Sequence, residues 1–357
     1  MKFSRYKEKK LVIFISFSIL ILVLIGFYLE SLSPNFKSKA VEPKIVEIER
    51  GDSILEIGRK LKENGIIKSE LVFIFEALRT GTYNKIKAGE YAFYPYQSIK
   101  EILIYLKEGK VYLRRITIPE GSTLWQIADI LEKNKICKKE EFLSLAEDPI
   151  IAESFGLPGP TLEGYLYPDT YFFHKDTSPE IVIQTMVENF WRHWEKYKEI
   201  AKKQKKSLKE VIILASIVEK EALYFKEKPL IAAVYLNRLR RGMPLQADPT
   251  INYALRHFRR LTYKDYYSVK SPYNTYLNMG LPPTPICNPG EGSIKAVLFP
   301  AKVSYLYFVA KGDGTHYFSR TYKEHLRAIK RIRNKRFNKN FNSTLISGRQ
   351  NIKKENL

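Results

Sequence analysis

From Leu11 to Leu29 the chain runs through nineteen positions without a charge, most of them Ile, Leu, Val or Phe. A helix of that length, rising about 1.5 Å per residue, crosses the hydrocarbon core of a bilayer. The pattern predicts a single transmembrane helix over 11–29, preceded by a short terminus (1–10) and followed by a linker (30–43). Glu30-Ser-Leu-Ser-Pro34 offers no small-residue cleavage site, so the segment reads as a retained anchor and not a removed signal. Lys2, Arg5, Lys7, Lys9 and Lys10 precede it. The positive-inside tendency then leaves the N-terminus in the cytoplasm and the rest outside, at the cell (inner) membrane in single-pass form.

Beyond the linker the pattern changes to short alternations and amphipathic helices. Gly51-Asp-Ser-Ile-Leu-Glu-Ile-Gly-Arg-Lys-Leu-Lys-Glu-Asn64 aligns without gaps, seventy residues on, to Gly121-Ser-Thr-Leu-Trp-Gln-Ile-Ala-Asp-Ile-Leu-Glu-Lys-Asn134. Each copy follows an alternating stretch, Ile45–Ile48 or Ile116–Ile118, and carries a Gly turn and a helix-capping Ser or Thr. Two copies are too few for a solenoid, so the pattern describes a duplicated strand–turn–helix unit. A helix over Ser69–Arg79 and a strand over Lys87–Phe93 complete a β-α-α-β module at 44–113. A larger mixed region follows at 114–335, with short aromatic and proline-bearing segments and turn-rich loops, and then a basic tail at 336–357. The fold class is α+β.

One helix in that region carries a charge on the wrong face. Around Ala215-Ser-Ile-Val-Glu-Lys-Glu-Ala222, with Leu214 at zero and about 100° per residue, Ile217 falls near 300°, Val218 near 40° and Glu221 near 340°, inside the apolar stripe. Lys209, Ser216 and Lys220 fall near 200–240°, which predicts a polar face there. An unpaired carboxylate among apolar neighbours is costly and commonly has a chemical reason. Glu219 points about 160° away from Glu221, so the two do not form a facing pair. One is expected to be chemical, the other structural or auxiliary.

The net charge of +22 invites a nucleic-acid partner. An exterior location argues against it. Much of the excess lies in the N-terminal arm and in Arg327, Lys330, Arg331, Arg333, Lys335, Arg336 and Lys339, which suit anionic lipid or an anionic wall polymer. Cys137 and Cys287 are too few for a disulfide framework and lack metal-ligand spacing; two small core residues, or a single pair, are the open readings. His174, His193, His257, His316 and His325 are scattered without ligand spacing, so no metal and no cofactor is expected.

Five segments in order carry a more specific signal: Glu163-Gly-Tyr-Leu-Tyr-Pro-Asp-Thr-Tyr171, Ala215-Ser-Ile-Val-Glu-Lys-Glu221, Asn237-Arg-Leu-Arg-Arg-Gly-Met-Pro-Leu-Gln-Ala-Asp-Pro-Thr250, Tyr273-Asn-Thr-Tyr276 and Gly280-Leu-Pro-Pro283. Together with the anchor and the β-α-α-β module they resemble the YceG-like (MltG) endolytic murein transglycosylases, over roughly residues 1–330. The Gly-Asp-Ser turn before Ile54-Leu-Glu-Ile57 resembles a LysM-like peptidoglycan-binding module. The resemblance implies cleavage of nascent peptidoglycan glycan strands without water, giving 1,6-anhydro-N-acetylmuramic acid ends. It also implies that Glu221, the second Glu of Glu-Lys-Glu, is the catalytic general acid and base, the residue the helical wheel also selects. That chemistry needs one carboxyl, because the nucleophile is the sugar's own hydroxyl. Gln246, Asp248, Tyr273 and Asn274 offer suitable groups for sugar recognition, although Asp248 can equally open a turn or cap a helix and Asn274 can form a turn. His316 is a further substrate contact or a structural residue, and Asp169 orders its own turn. The competing reading is a non-catalytic membrane-anchored scaffold that holds cell-wall synthases to peptidoglycan, and such synthase complexes are candidate partners of the enzyme as well.

Overall fold

A computed structural model describes residues 2–34, 42–94 and 96–334. The basic tail expected at 336–357 and half of the linker expected at 30–43 lie outside the described residues. The chain forms two compact units, Met1–Arg115 with Phe172–Asp176, and Ile116–Tyr171 with the residues from Thr177 onward. The sequence pattern divides the chain at 113/114; the units divide after Arg115, and the short segment Phe172–Asp176 groups with the first.

In the first unit, α1 (Lys2–Leu32) contains an apolar stretch, Lys9–Leu32, long enough to cross a membrane. It continues beyond the expected end at Leu29, since no proline or glycine interrupts it before Ser33-Pro34. β1 (Lys44–Ile48) pairs antiparallel with β2 (Gly89–Phe93), Lys44 opposite Phe93 and Ile48 opposite Gly89. Between them lie α2 (Ile54–Glu63) and α3 (Glu70–Arg79), and α4 (Ile99–Glu108) follows. Ser53 with Glu56, and Ser98 with Glu101, form reciprocal capping boxes on α2 and α4. Each such cap is worth about 1 kcal/mol. The alternation of β1 buries Val46 and Ile48 against Ile57, Leu61, Phe73, Tyr91, Phe93, Ile102 and Leu106.

The paired strands β3 (Arg114–Thr117) and β4 (Thr170–Phe173) each straddle the division, and the second unit contains α5 (Leu124–Lys133), α6 (Lys139–Ala146) and α7 (Pro149–Ser154). Then come α8 (Pro179–Lys203), α9 (Leu208–Glu221), α10 (Lys228–Arg240), α11 (Asp248–Ala254), α12 (Tyr263–Ser268) and α13 (Glu291–Leu298). β5 (Tyr307–Ala310) and β6 (His316–Ser319) close as an antiparallel hairpin. α5 repeats the capping box of α2 through Thr123 and Gln126, seventy residues on. Cys137 and Cys287 are buried free thiols.

α9 is the centre of this unit, packed by α8, α10, α11 and α13. Its expected polar face survives at the ends, where Lys209 and Lys220 are half-buried, and is lost in the middle at Ser216. Residues Val211 through Val218 are all buried, Ser216 included. Neighbours on every side leave the middle of α9 no solvent face, and Ser216 is accommodated because its hydroxyl donates to the Ile213 carbonyl at 2.7 Å and accepts from Ile286 N–H at 3.0 Å.

A second polar knot anchors the segment before β4. Glu163 is fully buried and accepts from Leu124 N–H (3.2 Å), the Tyr253 hydroxyl (3.2 Å) and the Asn288 amide (3.0 Å). Asn288 in turn accepts from Gly164 N–H and Leu166 N–H at 3.0 and 2.8 Å. Gly164 stands at φ +92°, and a Cβ there would come within 2.5 Å of Pro285, so only glycine fits the Glu163-Gly-Tyr turn.

Candidate active site

The last turn of α9, the start of α11, and the β5–β6 hairpin enclose a cavity of about 390 Å³. Glu221, Gln246, Asp248 and His316 all line it. So do Tyr235 and Arg238 of α10, Tyr266, Tyr276, Phe308 and His325.

Glu221 is the last helical residue of α9, half-buried at the cavity wall with its carboxyl enclosed by protein. The Tyr235 hydroxyl donates to its Oε1 at 2.8 Å. Burial pushes the carboxyl up to about 7; the Tyr235 hydrogen bond opposes the rise, the charge of Asp248 adds to it and that of Arg238 subtracts. A carboxyl poised there exchanges a proton readily near neutrality. Tyr235 itself is completely buried, and burial with the neighbouring carboxylate drives its phenol well up, so it stays a donor.

Around this acid the other groups are held from behind. Arg238 donates to the carbonyls of Leu306 (2.7 Å) and Leu245 (2.8 Å) and to Gln246 Oε1 (3.3 Å), tying β5 and the 245–247 segment to α10. Gln246 sits at φ +50°, a left-handed conformation uncommon outside glycine, held by its N–H to the Thr275 carbonyl at 3.1 Å. Asp248 accepts from Tyr276 (2.6 Å) and Tyr266 (3.3 Å), whose rings pack at 4.5 Å. It is the first residue of α11 and makes no cap of its own. His316 bonds Glu227 through Nδ1 at 2.7 Å and through its backbone N–H at 3.0 Å, with Phe308 edge-on to its ring. That fixes one face of the imidazole to protein and leaves the ring in the wall. His325 also lines the cavity, stacked on Tyr307 at 5.3 Å, its Nδ1 buried without a hydrogen-bond partner among the described residues.

Two expected contacts stand away from the cavity lining. Asn274 is completely buried, and its side chain is consumed by the loop: the amide donates to Tyr266 and Val269 carbonyls at 3.0 and 2.9 Å while the oxygen accepts from Tyr276 N–H at 3.0 Å. It shapes the loop that presents Tyr276. Tyr273 bonds Thr284 at 2.6 Å and packs on Tyr253. The sequence reading missed Tyr235, Arg238, Tyr266, Tyr276, Phe308 and His325. Arg238 and Tyr276 stand inside motifs it quoted, so those two had a signal; the others lie in segments with no distinguishing pattern.

Glu219 belongs to a different environment. It accepts from Lys228 Nζ at 2.8 and 3.0 Å, Gly290 N–H at 3.0 Å and Ser293 Oγ at 2.6 Å. Among the described residues no group of three or more His, Cys, Asp or Glu is placed to hold a metal ion.

Known proteins resemble this chain over most of its length. An endolytic murein transglycosylase of Bacillus subtilis (strain 168) is 38% identical over 301 residues, 79% of this chain and 83% of that protein. One of Streptococcus pneumoniae (serotype 2 strain D39) is 30% identical over 344 residues, 87% of this chain but 62% of the longer relative. The crystal structure of a YceG-like protein from Listeria monocytogenes superposes with a TM-score of 0.57 at 38% identity, covering 81% of this chain and all of the other. A family profile described as the YceG-like family matches residues 46–331, and the chain therefore belongs to the YceG-like family.

Proposed function

We propose that this protein is an endolytic murein transglycosylase that cleaves nascent peptidoglycan glycan strands, with Glu221 as general acid and then general base. The observation that carries the reading is a single carboxyl raised to about 7 in a 390 Å³ cavity walled by aromatic rings and hydrogen-bonding groups. Protonated Glu221 gives its proton to the glycosidic oxygen as the C–O bond breaks. The resulting carboxylate then takes the proton of the muramic acid 6-hydroxyl as that oxygen closes on the anomeric carbon, leaving a 1,6-anhydro-N-acetylmuramic acid end. Protons and electron pairs balance without water or any second reagent. Tyr235 steadies the carboxylate between the two steps, and Asp248, with its two tyrosines, faces the positive charge that develops on the sugar. Gln246 and His316 are assigned to sugar hydroxyl and N-acetyl groups, and Tyr273 and Asn274 to shaping the loop beside them. Glu219 is assigned a structural role.

The setting follows the same reading. α1 anchors the protein in the cell membrane with the cavity outside the cytoplasm, where strands emerge from their synthases, and the β-α-α-β module is LysM-like and binds glycan. Purified protein incubated with uncrosslinked strands in heavy-oxygen water should release anhydro-ended muropeptides that carry no heavy oxygen at the new end. Labelled reducing ends would overturn the mechanism, and intact strands would favour the scaffold reading.

A further inference from the structure

The outward face of α3 is apolar where a small water-soluble unit would be expected to be polar. Leu71, Phe75 and Leu78 are 75, 55 and 53% exposed. Their spacing of four and three residues puts them within about 60° of one another on the helix. They therefore form one stripe, opposite the buried Val72, Phe73 and Ala77.

That stripe adjoins the end of α1. Tyr28 sets its ring edge-on to Phe75, 5.9 Å between centroids. Its hydroxyl donates to Glu76, a buried carboxylate held from the other side by Arg79 at 2.6 and 3.0 Å. One turn earlier on the module, Lys68 Nζ donates to the Glu30 carbonyl (3.0 Å) and Ser33 Oγ (2.9 Å). Tyr28 and Leu32 also pack against the core of the unit. These contacts clasp α3 to the last two turns of the apolar stretch, whose side chains from Leu11 to Leu29 stand exposed along its length. Tyrosine and lysine at that level are the residues that settle at a membrane–water boundary.

We propose that α3 lies on the outer surface of the bilayer as an interfacial helix, with Leu71, Phe75 and Leu78 sunk among the lipid headgroups and upper acyl chains and exposed Arg79 beside an anionic headgroup. This rests on the reading of α1 as a membrane span. The occupant is lipid because the stripe continues the surface that α1 presents to lipid, at the depth where the span ends. The consequence is that the module does not swing on a flexible tether; its height and one face are set by the membrane.

The test uses the full chain with its two buried cysteines replaced by alanine, reconstituted at one copy per vesicle into phosphatidylethanolamine and phosphatidylglycerol. Single cysteines at 71, 75, 78, 22 and 107 carry an environment-sensitive fluorophore, and circular dichroism checks each fold. Labels at 71, 75 and 78 should be quenched by lipids brominated near the headgroup, and their iodide quenching should be at least about threefold weaker than at Lys107, an exposed α4 position. Tyr28→Phe, which keeps the ring and removes the bond to Glu76, should raise iodide quenching at 75 toward that of 107. Iodide quenching at 71, 75 and 78 equal to that at 107 would overturn the proposal. So would iodide protection without bromolipid quenching, or protection that appears only with several copies per vesicle, since both mean a protein occupant. A label at 22 untouched by lipids brominated near the bilayer centre would overturn the anchor reading and this proposal with it. A quenched label at 22 beside water-open labels on α3 overturns this proposal alone.

Discussion

Glu219 and Glu221 leave the last turn of α9 two residues apart and meet opposite surroundings. On the Glu219 side four donor contacts, two of them from the Lys228 ammonium, saturate the carboxylate. On the Glu221 side there is one phenol, the opposed charges of Asp248 and Arg238 acting from a distance, and a cavity. The same helix thus holds one acid whose oxygens are taken up by an ammonium, an amide and a hydroxyl, and one that burial keeps near the point of proton exchange. The difference teaches that neither burial nor position on a helix makes an acid reactive; what matters is whether the surroundings supply a counter-charge and complete the hydrogen bonds. Glu163 is a third case, sealed from solvent, with three donors and no cation bonded to it. Burial pushes it up to about 8 even against the Leu124 and Tyr253 bonds. It has no open side from which a substrate could take a proton.

The contrast breaks first at Glu221. Glu221→Gln keeps the shape and removes the proton, so turnover of glycan strands should fall about a thousandfold or more while thermal unfolding is nearly unchanged. Glu219→Gln should do the reverse. It leaves Lys228, buried, with Glu120 at 3.5 Å as its one carboxylate among the described residues, and should cost about 3 kcal/mol in denaturant unfolding with turnover per folded molecule retained. A folded but inactive Glu219→Gln beside a normally active Glu221→Gln would reverse the two assignments.

Glu163→Gln sharpens the third case. Its amide can turn toward the Tyr253 hydroxyl but then leaves Leu124 N–H without an acceptor, so unfolding stability should drop by about 1–2 kcal/mol. The wild-type carboxyl lies near 8 in the fold against an ordinary 4.5. Between those values the unfolded chain has released the proton and the folded chain has kept it, so this group's contribution makes stability fall as pH rises from about 5 to 8. The variant should lack that slope, measured as Tm across the pH range, and should keep the wild-type pH profile of cleavage.

The smallest effect is a displacement of that profile. Protonated Glu221 is the donating form, so kcat/KM should fall as pH rises above about 7. Asp248→Asn removes the charge that raises Glu221 and should move this alkaline limb to lower pH. Tyr235→Phe removes the bond that holds Glu221 down and should move it to higher pH, each by about 0.5–1 pH unit. Movement of both in one direction would mean that another group controls the limb.

Much of this was legible before any coordinates. Uncharged length marks α1, because backbone hydrogen bonding in lipid requires a continuous helix. Ser53 and Thr123 mark the starts of α2 and α5 through the same local geometry, seventy residues apart. Glu221 stands out because a charge at an apolar period is a local conflict visible in a dozen residues. The wheel failed at Ser216 because periodicity assumes one wet face along the whole helix, and the middle of α9 has none. It also could not find Tyr235, which reaches Glu221 from another helix, or separate Asn274 from Tyr276, two residues apart in one loop: the first has its side chain tied to the loop backbone and the second bonds Asp248.

The chain by itself determined many of the elements, their caps, the long apolar helix and the position of the misplaced acid, all of which depend on residues close together in sequence. Only the tertiary structure decided which carboxyl meets an ammonium and which faces a cavity with burial raising it. That outcome depends on Lys228, Ser293, Tyr235 and Asp248, groups brought from other helices. Desolvation and Coulomb interactions act through space at a few ångströms, a distance that sequence separation does not encode.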